Sequence, residues 1–276
     1  MMVLSQLITS ILSQTSGMKA FHRNSKIEAF AYDLALIALS VRTGYLVDTI
    51  HVPSGLAESV YCKLLNNLRT MSDHFKDIIH VYDPDSNQSF FINKPLFLVK
   101  VKDLFDNENI SCYPVFIYLP DNAEPRKLRT VPTPLTEVLR YLLKNLTTNQ
   151  DSIPEVSLRL PPNLSMVTSI PLAAVLLDYP IAYVPESESQ TSFLSGTPLV
   201  VYRCRLVGKS QGGEDNDKQH VLLQFSCPVS LENSMVSTRK TVSFLEHTFQ
   251  PRVAQILSKY VLHVDYEHVA PDRVAL

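Results

Sequence analysis

Apolar residues recur along residues 44–100 with the two periods that distinguish helices from strands. Residues 44–52 end in a short apolar run rich in β-branched side chains, which predicts a buried strand. Residues 56–71 bring back an apolar side chain every three or four positions, which predicts a helix with one apolar stripe. Two more strand patterns follow, joined by turn residues at 83–87. We expect the rest of the chain to pack around this segment.

The remaining sequence adds helices and strands in mixed order. Residues 133–146 keep helical spacing without interruption, and residues 238–260 predict a second long amphipathic helix. The strand pairs at 77–93 and 198–229 indicate antiparallel hairpins, which argue against a purely parallel sheet. We therefore expect a mixed α/β (α+β) fold, with one central sheet of about six to nine strands and helices packed against it.

The length of the chain leaves its domain organisation open. With 276 residues it can form one large domain or two modest ones. We predict a single domain over 1–276, with a subdivision into 1–146 and 153–276 as the alternative. Residues 208–219 are rich in glycine and acidic residues and predict an exposed loop. The segment 264–276 is predicted to be a tail that includes disordered residues.

Composition and charge exclude several classes of protein. A hydrophobic content of 45% with 19% charged residues indicates a folded chain. The net charge of −2 argues against a nucleic-acid partner, because phosphate backbones are bound by strongly basic surfaces. No apolar run is long enough to span a bilayer, so no membrane span is predicted.

The N-terminal segment and the cysteines indicate the cellular compartment of the protein. The apolar residues of 1–17 have helical spacing, and no basic residue precedes Lys19, so a packed helix is favoured over a targeting segment. The four cysteines form no C-x-x-C pair and are expected to be reduced thiols. These features predict a cytoplasmic protein, with the nucleus as the open alternative.

Three polar residues lie at the end of the first predicted strand and just before the following helix, where α/β sheets often place ligand groups. Asp48 and His51 could form an acid–base pair in which the carboxylate orients the imidazole. Ser54 begins the helix and could bind an anion through nearby backbone amides. Residues three apart on a strand point to opposite faces, so Asp48 and His51 can meet only if the strand has already ended. Solvated side chains and a helix N-cap are the commoner explanation.

Other candidate groups are explained more simply by a structural role than by a functional one. His80, Asp83 and Asp85 surround a turn and could ligate a metal, but Asp-Pro-Asp-Ser-Asn is also a typical β-turn sequence. No nucleotide-binding glycine motif and no G-x-S-x-G elbow is present. We predict no metal site and no cofactor.

Two arginines on one predicted strand are the candidate binding residues. Arg203 and Arg205 alternate with Tyr202 and Cys204, so both guanidinium groups should lie on the same face of the strand. They could contact an acidic partner, but a solvated outer sheet face is the favoured explanation, because the surfaces of ordinary sheets carry such residues.

Two longer segments carry a family resemblance. Residues 31–48, AYDLALIALSVRTGYLVD, and residues 177–198, LDYPIAYVPESESQTSFLSGTP, which lead into a predicted strand, resemble an uncharacterised eukaryotic open-reading-frame family of the UPF/DUF class, which carries a domain of unknown function. The resemblance implies a eukaryotic, intracellular protein without an assigned activity. It transfers no catalytic residue to this chain.

Two functions follow from the sequence, and whether the protein is an enzyme stays open. The first is a non-catalytic protein-interaction or adaptor protein that presents sheet edges, the 208–219 loop or the long C-terminal helix to a protein partner. The alternative is a hydrolase or transferase without a known motif, with its site at the end of the 44–52 strand. A deep pocket in which Asp48, His51 and Ser54 converge would favour catalysis, and a shallow apolar surface would favour binding.

Overall fold

The computed structural model describes most of the chain in ten segments. These are residues 2–21, 26–53, 55–106, 113–121, 123–148, 156–190, 193–194, 196–209, 219–232 and 236–270. The chain divides into two compact units: unit 1 is Met1–Asp103 with Thr136–Leu164, and unit 2 is Leu104–Leu135 with Ser165–Leu276. The single-domain organisation and its alternative division stay predictions. Residues 210–218 of the predicted acidic loop lie outside the described residues.

Seven α-helices and ten strands occur within the described segments. The helices are α1 (Met2–Ser16), α2 (Ile27–Ala38), α3 (Ala57–Met71), α4 (Lys94–Asp106), α5 (Thr133–Thr148), α6 (Met166–Leu176) and α7 (Thr238–Ile256). The strands are β1 (Gly44–Leu46), β2 (Ile78–Asp83), β3 (Gln88–Asn93), β4 (Val115–Leu119), β5 (Arg126–Lys127), β6 (Ser157–Arg159), β7 (Ile181–Pro185), β8 (Leu199–Gly208), β9 (Gln219–Pro228) and β10 (Tyr260–Val269). Across the described residues, no helix is both long and apolar enough to cross a membrane.

The mixed α and β composition is confirmed, but the prediction of one central sheet of six to nine strands is wrong. The described strands form one sheet of four strands and two sheets of three. In unit 2, β5-β4-β7 make one sheet and β10-β8-β9 make the other. Periodicity predicts which segments are extended, but the choice of partner strand depends on backbone hydrogen bonds between segments far apart in the sequence.

The sheet of unit 1 has the strand order β1-β3-β2-β6. The strands β2 and β3 form the predicted antiparallel hairpin, and β6 joins β2 in parallel, with Ser157 opposite His80. Every residue of β2 is buried, which fits its position between two neighbouring strands. This strand is the centre of the sheet.

The first strand is shorter than its sequence pattern predicts. Strand β1 ends at Leu46, and the backbone turns away from the sheet after one further hydrogen bond to β3. The Val47 amide donates to the Ser89 carbonyl at 2.8 Å, whereas the Asp48 amide turns back to the Leu46 carbonyl at 3.0 Å. Residues 47–53 therefore form a loop between the sheet and α3.

Two elements were not predicted from the sequence. Helix α4 follows β3 directly, and it begins where the Asn93 side chain accepts the Leu96 amide at 3.2 Å. Strand β10 includes residues 264–269, which were expected in the tail. Its ten residues pair with β8 along their whole length. Backbone hydrogen bonds therefore place in a sheet a segment whose composition did not predict a strand.

The core of unit 1 is an aromatic cluster between two helices and the sheet. Phe30 of α2, Tyr61 of α3 and Phe91 of β3 are each at most 1% exposed. The Tyr61 ring lies 5.3 Å from Phe91 and 5.1 Å from the His80 ring, measured between ring centroids. The predicted apolar stripe of α3 thus faces β2 and β3.

Replacing Phe91 by alanine should lower the free energy of unfolding by about 3–5 kcal/mol, because it leaves a cavity at the centre of this cluster. Urea unfolding followed by circular dichroism measures the change. The matched control is Tyr266→Ala, whose ring is 53% exposed and whose loss should cost less than about 1 kcal/mol. Equal losses for the two variants would show that the cluster does not dominate the core.

Candidate functional site

A cavity of about 130 Å³ opens in unit 1 between the end of β1 and the start of α3. The 47–52 loop, the first turns of α3 and the β2–β3 hairpin supply its walls. Its lining residues are Val47, Asp48, Ile50, His51, Val52, Ala57, Tyr61, Asn87 and Ser89.

The predicted pair Asp48 and His51 lines this one cavity, and both side chains are exposed at its mouth. They reach the same cavity because β1 ends at Leu46, so the alternation of a strand no longer separates them. Ser54, the third candidate, lies outside the described residues. The structure therefore brings together two of the three predicted side chains.

The accessible surface of the cavity is mostly polar, although several of its lining residues are apolar. Ile50 and Val52 are each 4% exposed and line the cavity. Tyr61 and Ser89 are also buried, at 1% and 4% exposed, and each has a hydroxyl group. Asn87 at the side is held by two hydrogen bonds, accepting the Tyr82 hydroxyl at 3.0 Å and donating to the Val52 carbonyl at 3.3 Å.

Ser89 belongs to a hydrogen-bonded chain that runs away from the cavity. Its Oγ lies 3.0 Å from Nε2 of the fully buried His80, and Nδ1 of His80 lies 2.9 Å from Oγ of Ser157. Burial lowers the pKa of His80 to about 3, an effect that the Glu58 carboxylate partly offsets. The imidazole is therefore neutral near pH 7, with one ring nitrogen donating and the other accepting.

The hydrogen-bonded chain continues from Ser157 to Cys62 on α3. Burial raises the pKa of the Cys62 thiol, and a hydrogen bond with Ser157 acts in the opposite direction. Cys62 is one of the cysteines that the sequence predicted to be reduced, and the structure has it as a free thiol. A protonated thiol at this position is a packing and hydrogen-bonding group rather than a nucleophile.

The other residues around the hairpin have structural partners. Asp83 accepts the Asp85 amide at 3.1 Å and the Ser86 hydroxyl at 2.6 Å, which closes the turn. Asp85 accepts the Asn163 amide. Within the described segments, no group of histidine, cysteine and acidic residues is arranged to hold a metal ion.

The arginines Arg203 and Arg205 lie on the same face of β8, as their alternation predicts. Each is paired with a carboxylate on the neighbouring strand β10: Arg203 with Glu267 and Arg205 with Asp265. His263 also contacts Asp265, at 2.9 Å. The charges on this sheet face are thus largely balanced within the face, which leaves little excess positive charge for an acidic partner.

Comparison with known proteins places the chain in a family. A family described as a domain of unknown function (DUF4504) matches residues 14–276. The chain belongs to this family. The predicted resemblance to an uncharacterised family is therefore confirmed. No curated protein and no solved structure matches the chain.

The description of the family assigns no activity. Sequence reasoning did not identify Tyr61 or Ser89 as site residues. Tyr61 counted among the apolar stripe of α3, and Ser89 is one serine in an otherwise apolar strand. Ser89 is a diagonal neighbour of His80 across the β2–β3 hairpin. The sequence could have indicated their contact only if the pairing register of the two strands had been known.

The buried imidazole predicts a pH-dependent stability. The folded-state pKa of His80 lies below the value of about 6.5 expected in the unfolded chain. The folded protein thus binds fewer protons than the unfolded one between these values, so stability is full above about pH 6.5 and falls toward pH 3. Urea unfolding at pH 7.5 and pH 5 should show a smaller stability difference in His80→Gln than in the native protein. An unchanged difference would contradict a neutral, buried His80.

Proposed function

We propose that the protein is a hydrolase or transferase that acts on a small molecule bound in the cavity beside β1. The observation that supports this proposal is the convergence of different chemical groups on one cavity. The 47–52 loop contributes a carboxylate and an imidazole, α3 contributes a phenol, and β3 contributes a serine hydroxyl. A concave site with a few convergent polar groups is the usual setting for small-molecule chemistry.

His51 is the proposed proton carrier of this site. It is exposed at the mouth, where it can exchange protons with solvent and with a bound molecule. Asp48, three residues earlier in the same loop, supplies a carboxylate that can stabilise the protonated imidazole. In a hydrolysis, His51 would take the proton from the attacking water and return it to the leaving group.

His80 is not proposed as the proton carrier, although it contacts Ser89. A pKa of about 3 makes its imidazole a weak base near neutral pH. Its contacts with Ser89 and Ser157 instead hold the Ser89 hydroxyl at a defined place in the inner cavity. His80 is thus a positioning residue in this proposal.

The double variant Asp48→Asn/His51→Gln should lose at least about 100-fold in turnover, the scale on which general acid–base groups act. A panel of small ester, amide and phosphate-ester compounds provides the assay, with product formation followed by mass spectrometry. The matched control is Asp73→Asn/His74→Gln, which changes the same residue types at two exposed positions of unit 1 outside the cavity lining. Equal turnover in both double variants would exclude Asp48 and His51 as the acid–base pair.

A second candidate is the interaction function that the sequence favoured first, and a specific observation supports it. The ten-residue strand β10 is an edge of its sheet, and nine of its residues are exposed or half-buried. In the described part of the chain, no strand pairs with its outer side. A free edge of this length can accept an extended segment of a partner protein through backbone hydrogen bonds.

Tyr266→Lys tests this candidate, because a lysine on an edge strand disfavours the addition of another strand. Affinity purification from the native cell type at moderate salt should recover a stoichiometric partner with the native protein and lose it with this variant. Val99→Lys is the control, since Val99 is an exposed apolar residue on α4. A partner that both variants retain binds elsewhere, and the absence of any partner removes this candidate.

A further inference from the structure

We infer that the partner of the β10 edge is a second copy of this chain, and that the two β10 strands pair antiparallel around a two-fold axis at Val264. This inference rests on the interaction candidate above for the free edge and adds the identity of the partner. It does not depend on the proposed catalysis, because β10 belongs to unit 2 and the cavity to unit 1. It depends on three observations: the direction of the backbone groups of β10, the order of its side chains, and the absence of residues that protect an edge.

The first observation is the direction of the backbone groups of β10. Its register with β8 places Tyr260 opposite Gly208 and continues without a shift to Val269. One residue before this register, the Lys209 amide donates to the Lys259 carbonyl at 2.6 Å. Opposed residues of antiparallel strands alternate between pairs that exchange hydrogen bonds and pairs that do not, so the odd-numbered residues of β10 bond to β8. The backbone groups that point outwards are therefore those of the even-numbered residues Leu262, Val264, Tyr266 and His268, with the carbonyl of Tyr260.

The Tyr260 amide supports this assignment. It donates to the Leu257 carbonyl at 2.8 Å, which fits an even-numbered residue whose amide does not face β8. A second β10 strand can use the outward groups only if its even-numbered residues lie opposite even-numbered residues. Two two-fold arrangements then form the same number of hydrogen bonds within the strand: one centred on Val264 and one centred on Asp265.

The order of charges along β10 separates these two arrangements. Around an axis at Asp265, each Asp265 carboxylate would lie directly opposite its own copy, in a pair without hydrogen bonds where side chains approach most closely. Around an axis at Val264, His263 lies opposite Asp265 of the second copy, and Glu267 lies opposite Val261. No two like charges are then opposed. Charge complementarity thus selects the axis at Val264.

The other face of β10 is also self-complementary around this axis. Val264 lies against Val264 of the second copy, and Leu262 lies opposite Tyr266. The Tyr266 ring is 53% exposed beside the free edge, whereas Leu262 is only 8% exposed. Apolar and aromatic side chains that face each other across a ladder stabilise the pairing of the strands. The dimer therefore covers an exposed ring with an apolar neighbour.

The third observation is that the edge lacks the usual protection against a further strand. Native edge strands often carry lysine or proline or are interrupted by a bulge. β10 contains neither residue, and its pairing with β8 has no register shift. In the described part of the chain, no strand pairs with its outer side. Two-fold dimers with a self-complementary patch are the commonest oligomers, and this edge meets their requirement.

The oligomeric state of the full chain is the first test. Sedimentation velocity at about 1–200 µM covers the weak association of a small interface and should show a dimer that grows with concentration. Tyr266→Lys enters the interface twice and should weaken dimerisation by at least about tenfold. Val99→Lys, on α4 in unit 1, should leave it unchanged. A monomer at every concentration, or equal effects of the two variants, would overturn the inference.

A disulfide cross-link tests the register. In the proposed dimer the two Val264 Cα atoms are about 5.5 Å apart, within the range that a disulfide can bridge. Val264→Cys should therefore give a covalent dimer on a non-reducing gel, with the native chain as background. His268→Cys is the matched control on the same strand face, because its two copies lie about 27 Å apart along the strands. Cross-linking of both variants, or of neither, would overturn the pairing at Val264.

A partner screen separates this inference from the interaction candidate on which it rests. A monomeric native chain that co-purifies with a different protein, and loses it in Tyr266→Lys, would keep the candidate and overturn the inference. A dimer that is cross-linked through Val264→Cys and co-purifies with no other protein would show that the edge serves self-association alone. Loss of the proposed catalysis in the cavity variants would leave both results unchanged.

Discussion

The requirement to satisfy both nitrogens of a buried imidazole organises the sheet of unit 1. His80 lies in the central strand β2, and its partners are Ser89 on β3 and Ser157 on β6. A buried polar group without partners would cost about 1–3 kcal/mol, so these two serines are tied to the position of His80. Ser89 also lines the cavity, so one hydrogen-bonded chain connects the sheet with the candidate site.

The aromatic cluster makes a second connection between stability and site. The ring of Tyr61 packs on Phe91 and His80 in the core, while its residue also lines the cavity. Packing against these neighbours restricts the ring, so the same residue stabilises the core and forms part of the cavity wall.

The two proposed functions use different units of the chain. The cavity lies in unit 1, and the β10 edge lies in unit 2. Arg203 and Arg205, the binding candidates of the sequence, are neutralised by Glu267 and Asp265 of β10 itself. Any partner at this edge would therefore gain more from backbone hydrogen bonds than from these charges, since surface ion pairs contribute little free energy.

Local sequence determined the elements whose pattern lies within one segment: the apolar stripe of α3, the turn between β2 and β3, and the placement of Asp48 and His51 beside the start of a helix. The division into three sheets, the early end of β1 and the meeting of Ser89 with His80 and Ser157 were decided by tertiary structure. Ser157 is 77 residues from His80 in the chain. Strand pairing and cavity lining depend on contacts over such distances, and a hydrophobic period contains no information about which distant backbone completes them.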